Sequence, residues 1–63
     1  MYPRLEEEMK RRQMDTESLA ELLDLTWWRA YHRRNGQTPF TPLERRVLSI
    51  EMGVPADELL KEE

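Results

Sequence analysis

The stretch DTESLAELLDLTWWRAYHRRNG, residues 15–36, sets the architecture of the chain. Asp15 is placed to accept a backbone N–H as N-cap of a helix whose Leu19, Leu22 and Leu23 fall at i, i+3 and i+4. That spacing makes one apolar stripe, so this helix is expected to bury one face. Only Asp24 and Leu25 then precede Thr26, a good N-cap for a second helix from Trp27 to Arg34. Asn35-Gly36 closes it, because glycine readily takes the left-handed conformation at a helix end. Two helices joined by so tight a turn cannot lie parallel.

The same capping logic extends outward. Leu5 and Met9, four apart, predict an earlier helix over about residues 4–13. Downstream, Thr41-Pro42-Leu43-Glu44 combines a Thr cap, proline at the first helical position and glutamate at the third, the strongest start signal in the chain. The helix it opens reaches about Met52 and stops at Gly53. Pro55 starts a last short segment that brings Leu59 over the core, with Glu62-Glu63 expected to fray. Five short helices result, and no stretch alternates with the period of a strand.

Sixty-three residues allow one domain with a modest core, since a chain this short buries only about 60% of its unfolded surface. Without cysteine, stability has to come from helix packing, roughly 3–5 kcal/mol. The absence of cysteine suits a reducing compartment, the cytoplasm if the chain is natural. No apolar run exceeds three residues, and the polar, basic start lacks a signal-peptide pattern, so a soluble chain without membrane contact is expected.

The net charge of −3 is unevenly spread. Residues 26–46 carry five basic side chains and one acidic one, leaving +4 there against −7 elsewhere. Glu6-Glu7-Glu8 followed by Lys10-Arg11-Arg12 gives i, i+4 pairs, read as a solvated helix face.

The arrangement resembles the Cro and lambda-repressor-like (XRE type) helix-turn-helix domains over nearly the whole chain. The resemblance rests on Leu19-Ala20-Glu21-Leu22-Leu23, on Asn35-Gly36 with Pro39-Phe40-Thr41, and on Met52-Gly53-Val54 with Glu58-Leu59. Ala20 stands where that family needs a small residue for close helix crossing. The resemblance implies a compact all-α domain of four to five helices that binds DNA with its third helix in the major groove. Thr26, Trp27, Trp28, Arg29, Tyr31 and His32 would then face bases, and Thr16, Asn35, Gln37 and Thr38 would meet phosphates. The chain departs from the family in placing Thr16 where Gln is common, Asp24 where Gly is common, and Trp27 and Trp28 where short polar residues are common. An unusual face on a familiar framework is what an engineered scaffold carries.

Base edges are read by forked hydrogen bonds from Arg, Lys, Asn or Gln, whereas indole offers one donor on a bulky apolar plate. Neighbours on a helix lie about 100° apart, so Trp27 and Trp28 cannot both point inward. With Tyr31 four residues on and Arg29 and His32 beside them, they have the composition of a protein-binding hot spot. On the fourth helix, Leu48 and Met52 are the expected core pair, leaving Leu43, Val47 and Ile50 as a second stripe that would extend the aromatic face.

Two functional readings stand. In one, the chain is a non-catalytic module that binds a protein partner through Trp27, Trp28, Tyr31, Leu43, Val47 and Ile50, with self-association through the same patch left open. In the other, it binds DNA through Thr16, Thr26, Arg29, His32, Arg33, Asn35, Gln37 and Thr38, with Arg34, Arg45 and Arg46 also on phosphates. Neither needs a cofactor or a small-molecule substrate. Catalytic residues are not expected in so small a chain without a nucleophile and base pair, and His32 lacks partners at metal-ligand spacing.

Overall fold

A computed structural model describes residues 1–62, so the expected fraying of Glu63 lies outside the described residues. They form five helices: α1 (Pro3–Arg11), α2 (Thr16–Leu23), α3 (Trp27–Arg34), α4 (Pro42–Met52) and α5 (Ala56–Leu59). The N-caps of α2, α3 and α4 are those read from the sequence. The Ser18 N–H donates to Asp15 Oδ1 at 2.9 Å, which holds the Asp15 carboxyl below its ordinary pKa. The Arg29 N–H donates to Thr26 Oγ1 at 3.3 Å. At α4 the capping box closes both ways, Glu44 N–H to Thr41 Oγ1 at 3.2 Å and Thr41 N–H to Glu44 Oε1 at 3.0 Å.

The helix ends share one device. Just beyond α1, α2 and α3 a residue takes a positive φ, at Gln13 (56°), Asp24 (56°) and Gly36 (83°). In each case the next N–H reaches back five residues: Met14 to the Met9 carbonyl (2.8 Å), Leu25 to Ala20 (2.9 Å) and Gln37 to His32 (2.9 Å). This is the Schellman arrangement, which satisfies carbonyls left over at a helix end. Only the third of these ends uses glycine. The first helix accordingly begins at Pro3 and ends at Arg11, two residues short of the expected Gln13, because Gln13 has already left the helical region.

Leu5, Met9, Leu19, Leu48 and Leu59 are fully buried and form the centre of the core. Tyr2 and Phe40 close one side with ring centroids 5.7 Å apart. Leu48 and Met52 are the core pair of α4, as the spacing indicates, and Leu60 is buried together with Leu59. From α3 only Ala30 is buried. The solvated reading of the Glu6-Glu7-Glu8 run requires correction at its third member. Glu8 is buried, with Arg4, Arg11 and Arg12 converging on its carboxylate. Arg12 at the same time donates to the Met52 carbonyl at the end of α4, at 2.9 Å. The i, i+4 spacing that looked like a surface ladder instead folds the arginines over an acid enclosed beneath them. Among the described residues no helix is long and apolar enough to cross a membrane.

Candidate functional site

With Ala30 turned inward, the helical period carries Trp27, Trp28, Arg29, Tyr31 and His32 outward or to the flank of α3. Both tryptophans are exposed, Trp27 at 45% and Trp28 at 64%, so neither serves the core. Trp27 and Tyr31, one turn apart, stack with centroids 5.1 Å apart and planes 11° from parallel. Trp28 stands at right angles to both, 4.9 Å from Trp27 and 5.7 Å from Tyr31. His32 completes the group, 6.1 Å from Trp28 and 5.9 Å from Tyr31. Four rings thus brace one another on a surface, in the stacked and edge-on geometries that aromatic quadrupoles prefer.

The stripe expected on α4 divides. Leu43 and Ile50 are exposed at 71% and 76%, whereas Val47 packs against the core. Val47 lies one residue before the buried Leu48, and the inward face of α4 is wide enough to take part of it. The start of α4 is tied to the last turn of α3 by Arg33 and Glu44, 2.7 Å apart and both largely buried.

The basic middle of the chain is largely neutralised by tertiary contacts. Arg33 meets Glu44, Arg34 meets Glu6 through two hydrogen bonds of 2.8 and 2.7 Å, and Arg45 meets Asp57 at 3.0 Å. Arg34 also donates to Thr16 Oγ1 at 3.0 Å, and Glu6 favours its charged form. Arg34 is therefore a clasp between α1, α2 and α3. The Thr16 side chain is buried beneath it and directed into the molecule. Thr26 is exposed with its hydroxyl engaged as the cap of α3. Asn35 and Gln37 are exposed and Thr38 is half-buried beyond the end of α3. Arg29 and Arg46 are exposed and have no ion pair among the described residues.

On α2 and at its end, Glu17, Glu21 and Asp24 fall at i, i+4 and i+7 and are exposed. Together with Ala20, Leu25 and Trp27 they line an open groove of about 570 Å³ between α2 and the start of α3. The sequence puts these acids near α3 but does not disclose the groove, which depends on the left-handed turn at Asp24 directing Leu25 back over Ala20. No family model matches the chain, and no curated protein or solved structure is significantly similar to it.

Proposed function

We propose that this chain is a non-catalytic binding module on a helix-turn-helix scaffold of the Cro and lambda-repressor-like kind, its third-helix face remade by design or by selection to engage a protein partner. The observation that carries the reading is the exposed cluster of Trp27, Trp28, Tyr31 and His32 on α3. Clustered aromatic side chains bury much area on contact at low cost in conformational entropy, and tryptophan and tyrosine dominate protein-binding hot spots. Leu43 and Ile50 offer further exposed apolar contacts on α4. The scaffold assignment is supported by the three-residue connection between α2 and α3 and by the buried alanines, Ala20 and Ala30, one on each helix.

DNA binding through α3 is the second reading, favoured by Arg29 and Arg46, which have no acidic partner among the described residues. Against it stand the acids that already hold Arg33, Arg34 and Arg45, the buried hydroxyl of Thr16, and the three exposed carboxylates beside Trp27. Phosphate contacts need free cations, and each such contact steepens the dependence of affinity on salt.

The deciding experiment titrates the chain with random-sequence duplex DNA at low salt and follows tryptophan emission. Both tryptophans of the sequence lie in the ring cluster, so contact with α3 is reported directly. No DNA binding is expected even where non-specific attraction is strongest. Binding that weakens steeply with added salt would establish the DNA reading instead.

A further inference from the structure

A protein partner for α3 is so far without a chemical character, and the surroundings of Trp27 supply one. The centroids of Trp27, Trp28 and Tyr31 form a nearly equilateral triangle with sides of 4.9, 5.1 and 5.7 Å. Tyr31 lies parallel to Trp27, and Trp28 is perpendicular to both. Trp28 therefore sits beside the Trp27–Tyr31 pair and not across Trp27 from Tyr31. Trp27 also lines the groove that contains Glu17, Glu21 and Asp24. None of these three carboxylates is in an ion pair among the described residues, in contrast to Glu6, Glu8, Glu44 and Asp57, each matched by arginine.

Among the residues that line the groove the unmatched charge is thus negative, while the unpaired Arg29 stands next to Trp28 on α3. An electron-rich indole face attracts cations, and carboxylates nearby strengthen the preference. Resting on the protein-binding reading, we infer that the partner presents a lysine- or arginine-bearing segment of another protein to this groove. Its cationic head lies against Trp27 within the field of Glu17, Glu21 and Asp24, and its methylenes lie along Ala20 and Leu25. Long basic side chains have the required form, an apolar stem and a charged tip. Phosphates would meet three carboxylates in the same place.

The test compares a short peptide of mixed lysine and arginine, an oligoglutamate peptide of equal length and random-sequence duplex DNA, each titrated at low salt against tryptophan emission. The basic peptide is expected to bind, and the glutamate peptide and the DNA are not. Replacing Glu17 and Glu21 together by glutamine should weaken the basic peptide by about tenfold. Replacing Glu51 and Glu62, exposed acids outside the groove, by glutamine should leave it within about twofold. All four side chains are exposed, and an unchanged helical circular dichroism spectrum for each variant confirms that the fold is retained. Trp27→Ala should abolish most of the emission change and most of the affinity. Equal losses in the two double variants would reduce the effect to bulk attraction and overturn the groove. A basic peptide bound no better than the glutamate peptide, with no DNA binding, would overturn the partner's charge while sparing the protein-binding reading. Salt-sensitive DNA binding would overturn both.

Discussion

Among single residues, Asp24 has the most informative backbone. Its φ of 56° and ψ of 47° place a side-chain-bearing residue in the left-handed region, which costs non-glycine residues about 1–2 kcal/mol, somewhat less for Asp and Asn. Asp24→Gly is therefore expected to stabilise the fold by about 1 kcal/mol, raising the melting temperature by roughly 4–8 °C in a domain of this size. Asp24→Ala, which keeps a Cβ without the polar side chain, should lower it. Thermal unfolding followed by circular dichroism checks both directions, and a glycine variant that melts at or below the parent temperature would contradict strain at this position. The caps at Asp15, Thr26, Thr41, Gly36 and Gly53 are legible in the sequence because each has its own chemical signature. The left-handed positions at Gln13 and Asp24 carry no such signature. Their signal lies one residue further on, where Met14 and Leu25 bond back to the Met9 and Ala20 carbonyls and pack against the core, an apolar position that becomes visible only once the helix end is known.

Among the helices, α3 is anchored unusually. It contributes one buried side chain, Ala30, packs along α2, and is further tied by Arg33 to Glu44 and by Arg34 to Glu6 and Thr16. The Arg34–Glu6 pair is two-pronged and about one-quarter exposed on each side, a geometry stronger than an open surface pair and weaker than a buried one. A double-mutant cycle with Glu6→Gln and Arg34→Gln should give a coupling of about 1 kcal/mol at low salt, reduced as salt is added. Additive single effects would mean that α3 is held without this pair. The boundaries of α2, α3 and α4 were legible because apolar period and caps agree there. The clasp at Arg34 was not, since its partners Glu6 and Thr16 lie 28 and 18 residues away in sequence and no local pattern links them. The exposure of the aromatic cluster could be read from helical spacing alone, but the separation of Val47 from Leu43 and Ile50 depended on how deeply α4 seats in the core.

Across the assembled domain, α1 works as a hub. Arg4 links it to Glu58 of α5, Arg12 to the end of α4, and Glu6 to α3. Buried Glu8 organises the arginines of that hub, and its hydrogen bond from Arg12, followed by that from Arg4, holds its carboxyl below the usual 4.5. A carboxylate whose pKa is depressed on folding adds stability that is complete above its unfolded value and lost as pH falls through the folded one. The chain should accordingly be most resistant to denaturant near neutral pH and lose resistance below about pH 4.5. In Glu8→Gln that acid dependence should flatten, with most of the loss already present at neutral pH. Urea midpoints measured across this range decide the matter, and parallel curves for parent and variant would show that Glu8 does not set the acid response. The distribution of these anchors bears on how such a molecule changes over generations. Positions 28, 29 and 32 are exposed and contribute neither a core side chain nor an ion pair among the described residues, so on the proposed binding reading mutations there are filtered more by what that face recognises than by whether the chain still folds. New specificities can arise at these positions in single steps through folded intermediates, while the inward alanine and the two clasped arginines of the same helix stay fixed.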